Sequence, residues 1–182
     1  QLGSCADIGT GFQHFGKARL MGAAVVSQKQ FPNSELGYAT TDGNWHLADG
    51  PVPAYVSVDP RHVGRKRRGL DRLPQVLLNY APVGRGFWRL KPFVDTAGRP
   101  FLTRILCVRP VAADLHLNYL WALCSSPIAS AFVWSHLLKR DILPGVFATL
   151  PIPNASAKDI CRVTLLVKKF QALSARGPQT MF

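Results

Sequence analysis

Acidic residues are scarce in this sequence, and charged residues are few overall. Ten of the 182 residues are Asp or Glu, against 22 Lys and Arg, and charged residues make up only 18% of the chain. Hydrophobic residues make up 47%, which is enough for one sizeable core or two small ones. The resulting net charge of +12 favours a polyanionic partner, and nucleic acid is the commonest of these.

The usual patterns of metal sites and of hydrolytic enzymes are missing. The four cysteines form no CxxC pair, the five histidines show no HxH or HxxxH spacing, and no GxSxG motif occurs. Cys107 and Cys124 lie in apolar runs, where cysteine behaves as a small hydrophobe. We expect buried, reduced thiols, a cytoplasmic protein and no bound metal.

One long stretch, residues 115–138, contains no Asp, Glu, Lys or Arg. A membrane-spanning helix needs about 20 apolar residues, so the stretch is long enough. Ser125-Ser126-Pro127 interrupts it, however, in a pattern typical of a capped helix start. We therefore predict two core-packed helices and no membrane partner. The chain has neither an initiator Met nor a signal peptide, so we expect it to be a piece of a longer protein.

The basic residues are concentrated in the middle of the chain. Residues 61–109 hold twelve Lys and Arg against two Asp and Glu, a local charge of +10, whereas residues 1–60 carry −2. The densest part is residues 61–73, RHVGRKRRGLDRL, here named the basic segment. Gly64 and Gly69 bracket its centre, which predicts a loop. The segment supplies six candidate DNA contacts: Arg61, Arg65, Lys66, Arg67, Arg68 and Arg72.

These side chains suit nucleic acid for a chemical reason. Arginine offers a planar fork to phosphate or to guanine O6 and N7, and lysine offers a point charge to phosphate. We expect Arg67 and Arg68 to act uniformly, through charge. A solvated loop that only aids solubility, or a nuclear-import signal, are the alternatives for such a run.

Arg85-Gly86-Phe87-Trp88-Arg89 interleaves cations with aromatic rings. Such a patch can follow a nucleic-acid backbone and stack on an unpaired base. The alternative is that the rings are core and the arginine stems cover them. Arg85, Trp88 and Arg89 are candidate DNA contacts, and we expect Arg85 to contact a base because it precedes a predicted strand.

Apolar runs and turn residues together predict a mixed α+β fold, with strands in the N-terminal two-thirds and a group of helices at the C-terminal end. Residues 1–18 are Gly-rich and predict a loop. Strands are predicted at 20–28, 54–58, 75–80, 87–94 and 101–108, and Pro92 marks the fourth as an edge strand. A last helix is predicted after Asn154 or Ser156. Its apolar stripe is Ile160, Val163, Leu166, Val167 and Phe170.

Residues 119–153, YLWALCSSPIASAFVWSHLLKRDILPGVFATLPIP, resemble the helical closure of the target recognition domain of adenine-N6 DNA methyltransferases. In that family a helix of the type "yLlalLNS", a short second helix and an "lPiP" segment recur in this order. Residues 123–126, LCSS, stand at the LLNS position, and Gln75-Val76 after Pro74 resembles the family's "prii" strand. Residues 11–17, GFQHFGK, resemble the domain's opening, which adds Gln13, His14 and Lys17 as DNA contacts.

The resemblance implies a DNA target recognition domain at residues 1–153. Residues 154–182 would be a helix that packs on it or links it to the rest of the parent chain. The implied partners are double-stranded DNA and a catalytic methyltransferase domain that precedes this piece. The cofactor S-adenosylmethionine would bind that catalytic domain, and none would bind here. The specificity subunit of a Type I restriction system uses a similar domain and is the alternative.

A function of another class is suggested by residues 7–11, DIGTG, which resemble the first S-adenosylmethionine motif of methyltransferases. That motif follows an apolar strand and precedes a helix, so that loop amides meet the cofactor. The chain could then be a small methyltransferase that uses the loop Asp7–Gly11. The Asn/Asp-Pro-Pro-Tyr/Phe tetrad that holds the flipped adenine in the family occurs nowhere in the sequence. We therefore expect no methyltransferase activity from the chain itself.

Overall fold

The fold is α+β, as predicted. A computed structural model describes residues 1–16, 25–39, 45, 50–64, 68–81, 89–111, 115–136 and 141–174. These ranges contain seven β-strands and, after them in the chain, four α-helices of five residues or more. The prediction of strands first and a C-terminal group of helices is therefore confirmed.

The strands form two antiparallel sheets. They are β1 (Ala6–Thr10), β2 (Val26–Ser27), β3 (Ser34–Tyr38), β4 (Pro53–Ser57), β5 (Gln75–Asn79), β6 (Phe93–Asp95) and β7 (Ile105–Pro110). The larger sheet has the order β1-β7-β5-β6, and the smaller has the order β2-β4-β3. The predicted strands at 54–58 and 75–80 correspond to β4 and β5. Of the predicted strand 20–28, residues 20–24 lie outside the described ranges, and β2 occupies two of the four described residues.

Four helices complete the chain: α1 (Leu117–Ser125), α2 (Pro127–His136), α3 (Pro144–Ala148) and α4 (Ala157–Ser174). Ser126 is the N-cap of α2, as predicted, because its hydroxyl accepts a hydrogen bond from the Ala129 amide at 3.1 Å. Ser156 is the N-cap of α4 in the same way, since its hydroxyl accepts a hydrogen bond from the Asp159 amide at 3.2 Å. None of the described helices combines the length and hydropathy that crossing a membrane requires.

One face of the larger sheet, here named the helix face, carries the main hydrophobic core. Alternate residues of a strand point to opposite faces, so Val76 and Leu78 of β5 share this face with Leu106 and Val108 of β7. The helices cover them, chiefly through apolar side chains of α1 to α4 that are nearly or fully buried. These are Leu120, Trp121, Cys124, Ala129, Val133, Phe147 and Val167.

The opposite face of the larger sheet, here named the loop face, is mixed in character. Leu77 and Cys107 form a small core there with Tyr38 of the smaller sheet. The alternate positions beside them carry Gln75 and Arg109, both buried. All five residues of β5 are buried, because each face of the strand is covered.

The N-terminal segment contradicts the predicted loop at residues 1–18. A 3-10 turn spans Leu2–Ser4, and Ala6–Thr10 then pairs along its whole length with β7. Asp and Gly are depleted in strands, so the local sequence gave a weak strand signal. Pairing to an apolar neighbour and burial of Ala6 decide the conformation.

The predicted strand 87–94 is also wrong over Arg89–Pro92. Here the side chain of Asn79 takes the place of a ladder: its amide donates to the Arg89 carbonyl at 2.8 Å, and its oxygen accepts the Lys91 amide at 2.8 Å. Pro92 has no amide to donate, and β6 begins directly after it. That β6 is an edge strand is confirmed by the sheet order. The strand predicted at 101–108 instead spans β7, four residues later at its start.

Helix α4 packs on α1, where the Trp121 and Phe170 rings lie 5.6 Å apart. Only part of its predicted apolar stripe is covered by the rest of the chain. Val167 is buried, whereas Leu166 is 56% exposed and Phe170 is 42% exposed.

Candidate nucleic-acid interface

The basic segment begins four residues after β4 of the smaller sheet, and an acidic residue pairs with its first arginine. Arg61 donates to both carboxylate oxygens of Asp59, with the shortest contact at 2.6 Å. This hydrogen bonding holds the pKa of Asp59 well below its usual range. Asn33 also donates to Asp59, at 3.2 Å. The fork of Arg61 is therefore matched to a carboxylate two residues away, although the side chain is exposed.

Residues 13–15 run beside the start of the basic segment. The Gly64 amide donates to the Gln13 carbonyl, and the Phe15 amide donates to the His62 carbonyl, both at 2.8 Å. Gln13 is exposed, next to the segment. His14 points inward, where it is 7% exposed and its Nε2 lies 2.8 Å from the Ser57 carbonyl oxygen. Among the candidates from the opening motif, Gln13 thus faces solvent and His14 serves the core.

Arg68 crosses the loop face over β1. Its guanidinium donates to Asp7, which raises the Arg68 pKa above its ordinary value. Gly9 lies directly beneath, and a Cβ there would overlap Nε of Arg68. Asp7 and Gly9 of the DIGTG motif are therefore strand residues, and both contact the side chain of Arg68. Residues 7–10 of the DIGTG motif lie in β1 and pair with β7, so their backbone amides are not in the loop conformation that the S-adenosylmethionine motif requires. This weighs against the S-adenosylmethionine alternative.

A buried polar network holds the end of the basic segment. Arg109 of β7 has an 8% exposed side chain and donates to Asp71 of the segment. Its Nη2 also donates to Gln75 Oε1 at 2.9 Å. The Gln75 amide donates in turn to Asp95 at 3.0 Å, and the Arg99 backbone amide donates to Asp95 at 2.7 Å. These side-chain hydrogen bonds link the basic segment to β7 and, through it, to β5 and β6.

Arg72 connects the basic segment back to the smaller sheet. Its Nη2 donates to Oε1 of Glu35 on β3, and the pair raises the Arg72 pKa above its ordinary value. The Arg72 side chain is 61% exposed and that of Glu35 is 28% exposed. The described ends of the basic segment are thus both held, and their contacts reach both sheets.

Internal carboxylates therefore engage many of the arginines that give residues 61–109 their charge. Five ion pairs occur within the described ranges, and the fifth joins Arg104 to Asp141 at 3.9 Å. Asp7, Glu35 and Asp71 were missed as site residues, because nothing in their sequence spacing indicates an arginine far away in the chain. The excess of positive charge remains, since the arginines outnumber these partners.

Arg89 lies away from the basic segment. Its guanidinium sits 4.2 Å from the ring centroid of Trp134, an exposed residue of α2. Its backbone is held by Asn79 at the far end of β5, whereas the basic segment leads into Gln75 at the near end. Gln75 and Asn79 are four residue steps apart along β5, a distance of about 13 Å. The candidate residues that the structure describes therefore do not form one cluster.

Six candidate contacts lie outside the described residues: Lys17, Arg65, Lys66, Arg67, Arg85 and Trp88. In the described ranges, no group of three or more His, Cys, Asp or Glu side chains is arranged to hold a metal ion. Beside the basic segment a shallow depression is lined by Phe15, Val58, Pro60, Val63, Gly64, Leu70 and Asp71.

No protein-family model matches the sequence, and no curated protein matches it. The fold, however, has a solved counterpart. The chain is similar in structure to the HsdS subunit from Thermoanaerobacter tengcongensis. The TM-score is 0.56 at 17% sequence identity, and the likeness covers 99% of this chain but 39% of that subunit.

The chain thus spans well under half the length of the HsdS subunit. At this identity the likeness concerns the fold alone. It agrees, at the level of fold, with the resemblance to a target recognition domain stated from the sequence.

Proposed function

We propose that this chain is a DNA target recognition domain from the specificity subunit of a Type I restriction system. It recognises a duplex DNA sequence and leaves methyl transfer to a separate catalytic polypeptide that binds S-adenosylmethionine. The observation that carries the proposal is the HsdS-like fold over nearly the whole chain, with a basic segment fixed to both of its sheets.

The electrostatics support a DNA partner. Residues 61–109 carry a formal charge of +10, and the four acidic partners from outside that range, Asp7, Glu35, Asp59 and Asp141, still leave an excess of +6. Positive charge that neutralises phosphates releases condensed counterions, so binding should weaken steeply as salt rises. The centre of the basic segment, Arg65, Lys66 and Arg67, is our candidate for uniform phosphate contact.

The first experiment measures binding of the 182-residue chain to duplex DNA at several salt concentrations. We expect the logarithm of the binding constant to fall linearly with the logarithm of salt, by about 0.9 per phosphate contacted. A triple change of Arg65, Lys66 and Arg67 to Ala should reduce both the affinity and that slope. The absence of binding at low salt, or a flat salt response, would contradict the proposal.

A matched control removes the same charge elsewhere. Lys158, Arg162 and Lys169 are exposed on α4, and changing all three to Ala alters net charge equally. We expect this control to leave most of the salt slope intact. Equal effects of the two triple variants would mean that only net charge matters and that the basic segment is not the interface.

A recognition domain fused to an adenine-N6 methyltransferase is the second candidate, favoured by the motif order from residue 119 to 153. Its discriminating feature is an Asn/Asp-Pro-Pro-Tyr/Phe tetrad in the polypeptide that precedes Gln1. Under both candidates the chain itself should transfer no labelled methyl group to DNA, and transfer by the chain alone would contradict both.

A further inference from the structure

Arg72 has an unusual backbone for an arginine. Its φ is 54°, in the left-handed region, and the other described non-Gly residue with positive φ is Asn33. Asparagine tolerates this region, whereas a long side chain is strained there. Strain of this kind persists where the surrounding structure imposes it, and it is frequent at functional sites.

Two contacts impose the conformation on Arg72. The preceding residue, Asp71, is paired with buried Arg109. On the other side Gly98, at φ 64°, sits so close that a Cβ there would overlap the Arg72 carbonyl group. The main chain of Arg72 is therefore held between β7 and the turn that follows β6.

The side chain of Arg72 is directed rather than free. Its exposed guanidinium donates to Glu35, and Glu35 is itself fixed because β3 pairs with β4. A guanidinium has five N–H donors in a planar fork, so one carboxylate contact leaves donors for a second acceptor. A carboxylate that holds the fork in place reduces the entropy lost when that second acceptor binds.

The neighbouring arginines do not share this arrangement. Arg61 engages both oxygens of Asp59, and Arg68 is half buried over Gly9. Arg109 is buried. Among the described arginines of the basic segment, Arg72 is the one that combines an exposed fork, a constrained main chain and a carboxylate from another strand.

We propose that Arg72 is a sequence-determining residue that recognises guanine in the major groove, and that Glu35 is its positioning residue. Guanine presents O6 and N7 as two adjacent acceptors, which match two donors of the fork. Glu35 also places a negative charge beside the fork, which disfavours a phosphate oxygen there. This inference rests on the proposed DNA-recognition function.

The test selects bound sequences from a pool of randomised duplex DNA with the 182-residue chain. We expect the natural chain to enrich a motif that includes a G·C pair dependent on Arg72. Arg72→Lys keeps the charge but lacks the fork. It should keep the salt slope while preference at that one position falls by roughly 5- to 150-fold.

Arg72→Gly separates recognition from stability. Glycine adopts positive φ without strain, so this variant should melt at the same temperature or higher while losing the guanine preference. A residue that served the fold alone would show no loss of base preference. Glu35→Gln should weaken the same preference without lowering the melting temperature. Arg104→Lys is the matched control, because Arg104 is 54% exposed outside the basic segment, and its motif should be unchanged.

The outcomes distinguish the inference from the proposed function. If the natural chain enriches a motif and the Arg72 variants enrich the same one, the assignment of Arg72 is overturned and DNA recognition stands. If the natural chain binds no DNA, or enriches no sequence, both are overturned.

Discussion

The two faces of the larger sheet differ in what their residues do, although the same strands supply both. On the helix face, Leu106 and Val108 meet the apolar side chains of four helices. On the loop face, Cys107 and Arg109 alternate with them, and Arg109 bonds Asp71 of the basic segment. The helix face carries the main hydrophobic core, whereas the loop face combines a smaller core with the contacts that fix the position of charge. The fold thus separates these two tasks by the two-residue period of a strand.

The largest expected effect comes from breaking the helix face. Leu106→Ala removes a fully buried side chain from the main core and should lower the free energy of unfolding by about 2–5 kcal/mol. Urea denaturation would measure it. Because Leu106 faces away from the basic segment, DNA affinity under conditions where the variant is folded should be unchanged. A loss of affinity there would show that the two faces are coupled.

An intermediate effect is expected on the loop face. Arg109→Met leaves Asp71 and Gln75 without their donor, which should cost about 1–3 kcal/mol. The change should also loosen the end of the basic segment and lower DNA affinity. The free energy of unfolding and DNA binding should therefore fall together here, unlike in Leu106→Ala.

Thiol labelling followed by peptide mapping would localise that loosening. Burial raises the pKa of Cys107 on the loop face, and it raises the pKa of Cys124 on the helix face to about 12. Both thiols should resist alkylation in the natural chain, while exposed Cys161 reacts. In Arg109→Met we expect Cys107 to become reactive and Cys124 to stay protected. Equal exposure of both would indicate global rather than local opening.

The smallest effect concerns the start of α4. Ser156→Ala removes the hydroxyl that accepts the Asp159 amide and should cost about 1 kcal/mol at neutral pH. Hydrogen bonds from Ser156 also lower the pKa of Asp159. A lowered folded-state pKa contributes stability above the ordinary carboxyl value of about 3.9, and this is lost as pH falls through the folded value. The difference between the variant and the natural chain, measured by thermal melting, should therefore shrink near pH 3.

Much of the fold could be predicted from local patterns. Apolar β5, the turn at Gly98 and the helix starts at Ser126 and Ser156 all follow from side-chain chemistry within a few residues. Strand β1 could not be predicted so, since Asp7 and Gly9 are poor strand formers. In the structure both residues contact Arg68, which lies 59 or more positions later in the chain.

The candidate site divides along the same line. The sequence alone determined that positive charge is concentrated in residues 61–109, because composition fixes charge whatever the fold. It could not determine which arginines have internal partners. That His14 faces the core and that Arg89 lies on Trp134 at the far end of β5 depends on how distant segments pack.

What the sequence determined by itself is therefore the fold class, the helix starts and the location of the basic charge. Each of these depends on residues near one another in the chain or on simple sums. Only the tertiary structure decided that Asp71 is tied to Arg109 and that Arg72 is held at positive φ beside Glu35. Those contacts join residues 37 or 38 positions apart, and no local pattern specifies a pairing over such a separation.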